Sequence, residues 1–163
     1  IYKGSGAEFL YMIKKILVAI DGSEPADKAL DYALDLAESC GAGVVVLSVI
    51  PPFVYPMVTE DPNAPPLITP SEVDRISSKI RSSHEEVLKG ALAKAQSSKP
   101  GLDVSTRLEE GSPADVIVKI AQEEGFDLIV MGSRGLHGFS EFLLGSITHR
   151  VADHCRKPLL IVK

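Results

Sequence analysis

Asp127-Leu128-Ile129-Val130-Met131-Gly132-Ser133-Arg134-Gly135, followed after nine residues by Gly145-Ser146, is the stretch on which the fold turns. Leu128 to Met131 is an apolar run of strand length, and it opens directly into a loop spaced by glycines. Glycine lets the backbone turn with positive φ and lets a ligand approach main-chain N–H groups with no Cβ in the way. A helix starting beyond such a loop adds unpaired N–H donors at its first turn. The arrangement suits a polyphosphate. Gly132 and Gly135 equally suit a tight strand-to-helix turn, and Gly138 a relief of crowding, so the motif alone leaves both uses open.

The rest of the chain repeats the strand-then-helix pattern. Lys14-Lys15 precede Ile16-Leu17-Val18-Ala19-Ile20, a continuous apolar run of the kind buried on both faces of a sheet, and Asp21-Gly22-Ser23 ends it. Ser23 is placed to cap a helix with Pro25 in its first turn, along which Ala26, Ala29, Leu30, Ala33, Leu34 and Ala37 recur until Gly41. Val44 to Ile50 predicts a second buried strand, stopped by Pro51-Pro52. From Pro51 to Pro70 the chain is proline-rich and has no helical period, so it predicts a long loop, either a lid or a plain surface connection. Ser71 with Asp74 resembles a capping box for a long helix carrying Val73, Ile76, Ile80, Val87, Leu88, Ala91 and Ala95, ended by Lys99-Pro100-Gly101. Val104 to Leu108 alternates as an edge or half-buried strand does. Ser112, Pro113 and Asp115 then open a helix running to Gly125. Beyond the glycine loop, Ile147, Val151 and Cys155 mark a short amphipathic helix, and Pro158 to Val162 a fifth strand. Alternation of this kind predicts an α/β fold, a parallel sheet with helices on both faces.

Composition bounds the function. A chain of 163 residues, 45% hydrophobic and 24% charged, has the length and make-up of one ordinary globular domain. A net charge of −5 and a pI near 5.4 argue against a surface built to hold nucleic acid. Cys40 and Cys155 stand far apart with no CxxC or Cys/His spacing, which fits buried thiols in a reducing cytosol better than a disulfide framework or zinc site. No apolar stretch approaches the roughly 20 residues that a membrane helix needs. Residues 1–11 read as a cloning-derived tail before a natural start at Met12, with residues 12–163 as the domain.

In an open parallel sheet the ligand crevice lies beyond the carboxyl ends of the strands, where the strand order reverses. If the first strand neighbours the fourth, Asp21, Val49-Ile50 and the loop from Gly132 to Gly145 converge there. A carboxylate at Asp21 can accept from ribose hydroxyls, Val49 can line an adenine slot, and the loop can take phosphates. Asp21-Gly22-Ser23 is equally ordinary turn-and-cap chemistry, and Ser146 and Thr148 can serve as cap hydroxyls as well as phosphate contacts. Neither GxxxxGK(S/T), GxGxxG nor GxSxG occurs at a suitable place. Arg134 and His137 are the cationic candidates within the loop, with solvated surface as the plainer role for both. His84 is isolated, and His149 and His154 are poorly spaced for sharing a metal.

Taken together, Gly132-x-x-Gly135, nine residues and Gly145-Ser146 match the pattern GxxGx(9)G(S/T) and resemble the ATP-binding branch of the universal stress protein family. The resemblance extends through Lys15 to Ser23, the Gly111-x-Pro113 turn, Asp127 to Ser133 and Lys157 to Val162, so it covers Met12 to Lys163. It implies a three-layer, Rossmann-like, five-stranded parallel sheet of order 3-2-1-4-5, related to adenine-nucleotide alpha-hydrolase-like domains. It also implies a cytoplasmic, ATP-binding homodimer that regulates stress responses through an unknown protein partner. Carried over by position, the family implies that Ala19, Ile20 and Asp21 contact adenosine, that Val49 packs on adenine, and that Met131 and Gly132 border adenine and ribose. Gly135, Gly145, Ser146, Ile147 and Thr148 would lie along the phosphates, which carry a bridging Mg2+ or Mn2+. The strand Leu159 to Val162 would pair across the dimer axis. Slow ATP hydrolysis and a nucleotide-free interaction module are the alternatives that the wider family implies.

Overall fold

The computed structural model describes residues 13–52, 69–136 and 144–163. The expectations for residues 1–11, for a lid within 53–68 and for His137 and Gly138 therefore lie outside the described residues. Among the described residues nine elements follow one another: β1 (Lys15–Ala19), α1 (Glu24–Cys40), β2 (Gly43–Ile50), α2 (Pro70–Ser98), β3 (Val104–Glu110), α3 (Pro113–Glu123), β4 (Leu128–Gly132), α4 (Ser146–His154) and β5 (Leu159–Val162). The strands form one parallel sheet of order β3-β2-β1-β4-β5, as expected, with Ile16 beside both Val44 and Leu128.

The chain steps outward from β1 to β3, then crosses back to β4 and continues to β5. Parallel crossovers keep one hand, so reversing direction moves the connecting helices to the opposite face. The core divides accordingly. Ala26, Leu30, Ala33 and Leu34 of α1 and Leu88, Ala91 and Ala95 of α2 pack with Ile16, Val18, Val44, Val46 and Val130. On the other face Ile117, Ile120 and Ala121 of α3 and Val151 of α4 pack with Leu17, Leu47, Ile129 and Met131. The continuous apolar strands are needed because both faces are covered.

Two local expectations are corrected. The capping box of α2 is Thr69 with Glu72, not Ser71 with Asp74: Thr69 Oγ1 accepts from Glu72 N at 3.3 Å, and Glu72 Oε2 accepts from Thr69 N at 2.8 Å. Pro70 decides the register, because it occupies the first helical turn and holds the residue before it extended, at φ −79° and ψ 154°. Ser112 occupies the N-cap of α3 without a side-chain cap hydrogen bond. Asp127 lies just outside β4, where its Oδ2 accepts from Lys14 N at 2.8 Å and Lys15 N at 3.0 Å and ties the start of β1 to the neighbouring strand. Cys40 is buried and Cys155 only partly so, and both are free thiols.

Gly41 terminates α1 in the left-handed region at φ 67°, its N–H bonded to the Ala37 carbonyl, with nothing near the position of a Cβ. Gly90 lies within α2 and also faces open space. Gly41→Ala should therefore lower the unfolding free energy by about 1 kcal/mol through backbone strain, and Gly90→Ala should raise it by about 0.5–1 kcal/mol, both read from urea denaturation.

Candidate functional site

At the carboxyl ends of β1, β2 and β4 the sheet opens into a cleft of about 490 Å3. All eleven residues singled out from the sequence line it: Ala19, Ile20, Asp21, Val49, Met131, Gly132, Gly135, Gly145, Ser146, Ile147 and Thr148. The switch point brings them together, since β1 and β4 are adjacent while the helices after them leave on opposite faces. Ala26, Leu47, Pro51, His84, Pro113, Ile117, Arg134 and Leu136 complete the described wall.

The glycines act differently from the expectation. None of Gly132, Gly135 and Gly145 has positive φ; that conformation occurs instead at Gly22, Gly41, Gly111 and Gly125. What the loop glycines supply is the missing Cβ. A Cβ on Gly132 would stand 2.8 Å from Ala26 N and from the Pro25 carbonyl carbon, one on Gly145 would stand 3.2 Å from Arg134 Cα, and one on Gly135 would run into Asp21 Oδ2. Close packing of the protein on itself thus accounts for glycine at these positions.

Asp21 serves the turn and faces the cleft at once. Its Oδ1 accepts from Ser23 N at 3.0 Å, and its Oδ2 accepts from Leu136 N at 3.1 Å, fastening the glycine loop to the end of β1. A carboxylate has about four acceptor sites, so each oxygen keeps one lone pair. Ser23 caps α1 by accepting from Ala26 N at 3.4 Å, while its hydroxyl donates to the Arg134 carbonyl at 3.5 Å.

Beside the glycine loop α4 begins, the Cβ position of Gly145 lying 3.7 Å from Gly135 N. Its N-cap is Gly145, whose N–H is bonded to the Ser133 carbonyl at 2.8 Å and whose carbonyl accepts from His149 N at 2.9 Å. The helix geometry leaves the N–H groups of Ser146, Ile147 and Thr148 without intrahelical acceptors, in a partly positive field. The expectation that Ser146 and Thr148 cap this helix is corrected: no side-chain cap bond is made, and the buried Thr148 hydroxyl donates to the Gly132 carbonyl at 2.9 Å. Its only proton is used there, which leaves Thr148 its backbone N–H for any anion.

The residue missed from the sequence is His84. It comes from the middle of α2, lines the cleft, and lies with Nδ1 2.8 Å from Ser48 Oγ. Burial holds its imidazole below the ordinary value near 6.5, with the Asp21 carboxylate opposing. Nothing in its neighbouring sequence signals this, because the partner is 36 residues away on another element. Among the described residues no group of three or more His, Cys, Asp or Glu side chains is arranged to hold a metal ion. No described helix is long and apolar enough to cross a membrane.

Fold and cleft define an open, doubly wound α/β protein with its site at the switch point. The chain belongs to the universal stress protein family, whose pattern matches residues 12–163. It is 36% identical over 152 residues to the universal stress protein YxiE of Bacillus subtilis, covering 93% of this chain and all of that one. Among solved structures it is similar to hypothetical protein MJ0577, the subject of a structure-based assignment of biochemical function, at 30% identity and a TM-score of 0.63, covering 93% and 96% of the two chains. It also resembles a universal stress protein in complex with cAMP, at 25% identity and a TM-score of 0.65, over 92% and 97%.

Gly132→Ala should lower stability by about 1–3 kcal/mol in chemical denaturation, because α1 must move to admit the methyl group. His84 binds fewer protons folded than unfolded in the range below about 6.5, so its contribution to stability is complete above that range and is lost as pH falls through its folded pKa. Urea midpoints measured from about pH 7.5 down to about pH 5.5 should therefore decline, and His84→Asn should flatten that part of the profile.

Proposed function

We propose that the cleft binds an adenine nucleotide, ATP by preference, and that the protein acts as a nucleotide-dependent regulator in the cytoplasm. The observation that carries this is the division of one cleft into chemically distinct parts. Leu47, Val49, Pro113, Ile117 and Met131 offer an apolar slot for a flat base. The start of α4, beside the glycine loop, offers N–H groups that favour phosphate oxygens. Asp21 lies on the same wall with lone pairs left for hydroxyl donors. The volume of about 490 Å3 is within the usual range for a small-ligand site.

In this assignment Ala19, Ile20, Asp21, Val49, Met131 and Gly132 hold the nucleoside, and Gly135, Gly145, Ser146, Ile147 and Thr148 border the phosphates. Mg2+ or Mn2+ would be carried by phosphate oxygens, since the described residues include no protein metal cluster. No lysine is among the described residues that line the cleft, which favours holding the nucleotide over cleaving it. The cAMP complex of a relative at 25% identity supports a nucleotide as the ligand class. Homodimerisation through β5, at the edge of the sheet, and an unidentified protein partner complete the proposed function.

Isothermal titration should show ATP binding. Gly135→Ala should weaken it by about tenfold, roughly 1.4 kcal/mol, because its methyl group would displace the Asp21 carboxylate and the loop fastened to it. Absence of heat with ATP, together with no nucleotide released from the purified protein on denaturation, would exclude the assignment in favour of a nucleotide-free interaction module.

A further inference from the structure

Ser48, at the end of β2, is fully buried and has one hydroxyl proton. Its Oγ lies 3.0 Å from the Ile20 carbonyl oxygen, which can only accept, and 2.8 Å from His84 Nδ1. Ser48 therefore donates to Ile20 and accepts from His84, which places the imidazole proton on Nδ1. Because Ser48 has no exposed surface, the Nδ1 edge lying on it is turned into the protein, and the rest of the ring, which carries Nε2, is what His84 has left to present to the cleft it lines. In this tautomer Nε2 presents a lone pair.

The neighbouring polar group on that wall, Asp21, is also an acceptor, with one lone pair left on each oxygen. This side of the cleft thus offers acceptors to a ligand, whereas α4 offers donors. An adjacent pair of hydroxyls is the ligand feature that satisfies two acceptors. Asp21 is fastened to the glycine loop next to the start of α4, and its charge acts on His84, so both acceptors stand beside the N–H donors. A nucleotide with its phosphates at those donors brings the adjoining sugar to this wall.

We infer that His84 is a specificity-determining residue, its tautomer set by Ser48 and the Ile20 carbonyl so that Nε2 accepts a hydrogen bond from a ribose hydroxyl of the bound nucleotide. This rests on the nucleotide assignment above and adds to it a selection for ribonucleotides. Ser48 is the positioning residue, acting only through the ring.

The test compares ATP, 2′-deoxy-ATP and 3′-deoxy-ATP by isothermal titration on the full chain and on His84→Asn and His84→Gln. The Asn amide can keep the bond to Ser48 while removing the group at the Nε2 position, whereas the Gln amide can place an oxygen there. The full chain should discriminate against at least one deoxynucleotide by about fivefold, the size of a neutral hydrogen bond. His84→Asn should bind ATP about fivefold more weakly and lose that discrimination, and His84→Gln should retain part of it. The deoxynucleotide affected identifies which hydroxyl His84 contacts. Binding of ATP with no discrimination, or an equal loss for all three nucleotides in His84→Asn, overturns the inference and leaves the nucleotide assignment standing. Failure of the unsubstituted chain to bind any of the three overturns both.

Discussion

The first turn of α1 lies against the end of β4 with no room for a methyl group between them. A Cβ at Gly132 would approach Pro25 and Ala26 to within 2.8 Å. That contact fixes how closely the outgoing helix of one strand can approach the carboxyl end of its neighbour, and it sets the geometry of the switch point. Ser23, which caps the same helix, reaches the Arg134 carbonyl, and Asp21 takes the Leu136 N–H, so the loop after β4 is fastened to the turn after β1 at two places. Thr148 then ties the start of α4 back to Gly132. The cleft is the space left inside this set of fastenings.

Their chemistry gives the cleft its polarity. Backbone groups that would bond within a longer strand or helix are left at element ends, and each end has a characteristic sign. At α4 the surplus is N–H donors. Near β1 and β2 the carbonyl of Ile20 is taken by Ser48, whose remaining capacity fixes the His84 ring, so that the wall presents acceptors. A ligand with an anionic end, hydroxyls and an apolar plane matches that sequence of environments in one orientation.

Much of the fold was legible from the sequence because the strands are continuous apolar runs and the helices are punctuated by proline, serine and glycine. Both signals are local, and both survive without knowledge of what packs against them. Where two local signals competed, as in Thr69-Pro70-Ser71-Glu72 against Ser71 to Asp74, the proline's restriction on the residue before it selected the first. The site was legible as a set of residues because each lies at the end of a strand or the start of a helix, where the resemblance placed it.

The sequence by itself determined the order of elements and the sheet class, and with the family resemblance it picked out eleven of the residues that line the cleft. Only the tertiary structure decided what those residues do to one another. It showed that the loop glycines answer crowding by Pro25, Asp21 and Arg134 in place of a need for positive φ. It joined Asp21 to Leu136 across 115 residues and His84 to Ser48 across 36. The physical reason is range: hydrophobic period and capping are written within a few neighbouring residues, whereas a Cβ clash or a tautomer depends on groups brought together only by the strand order.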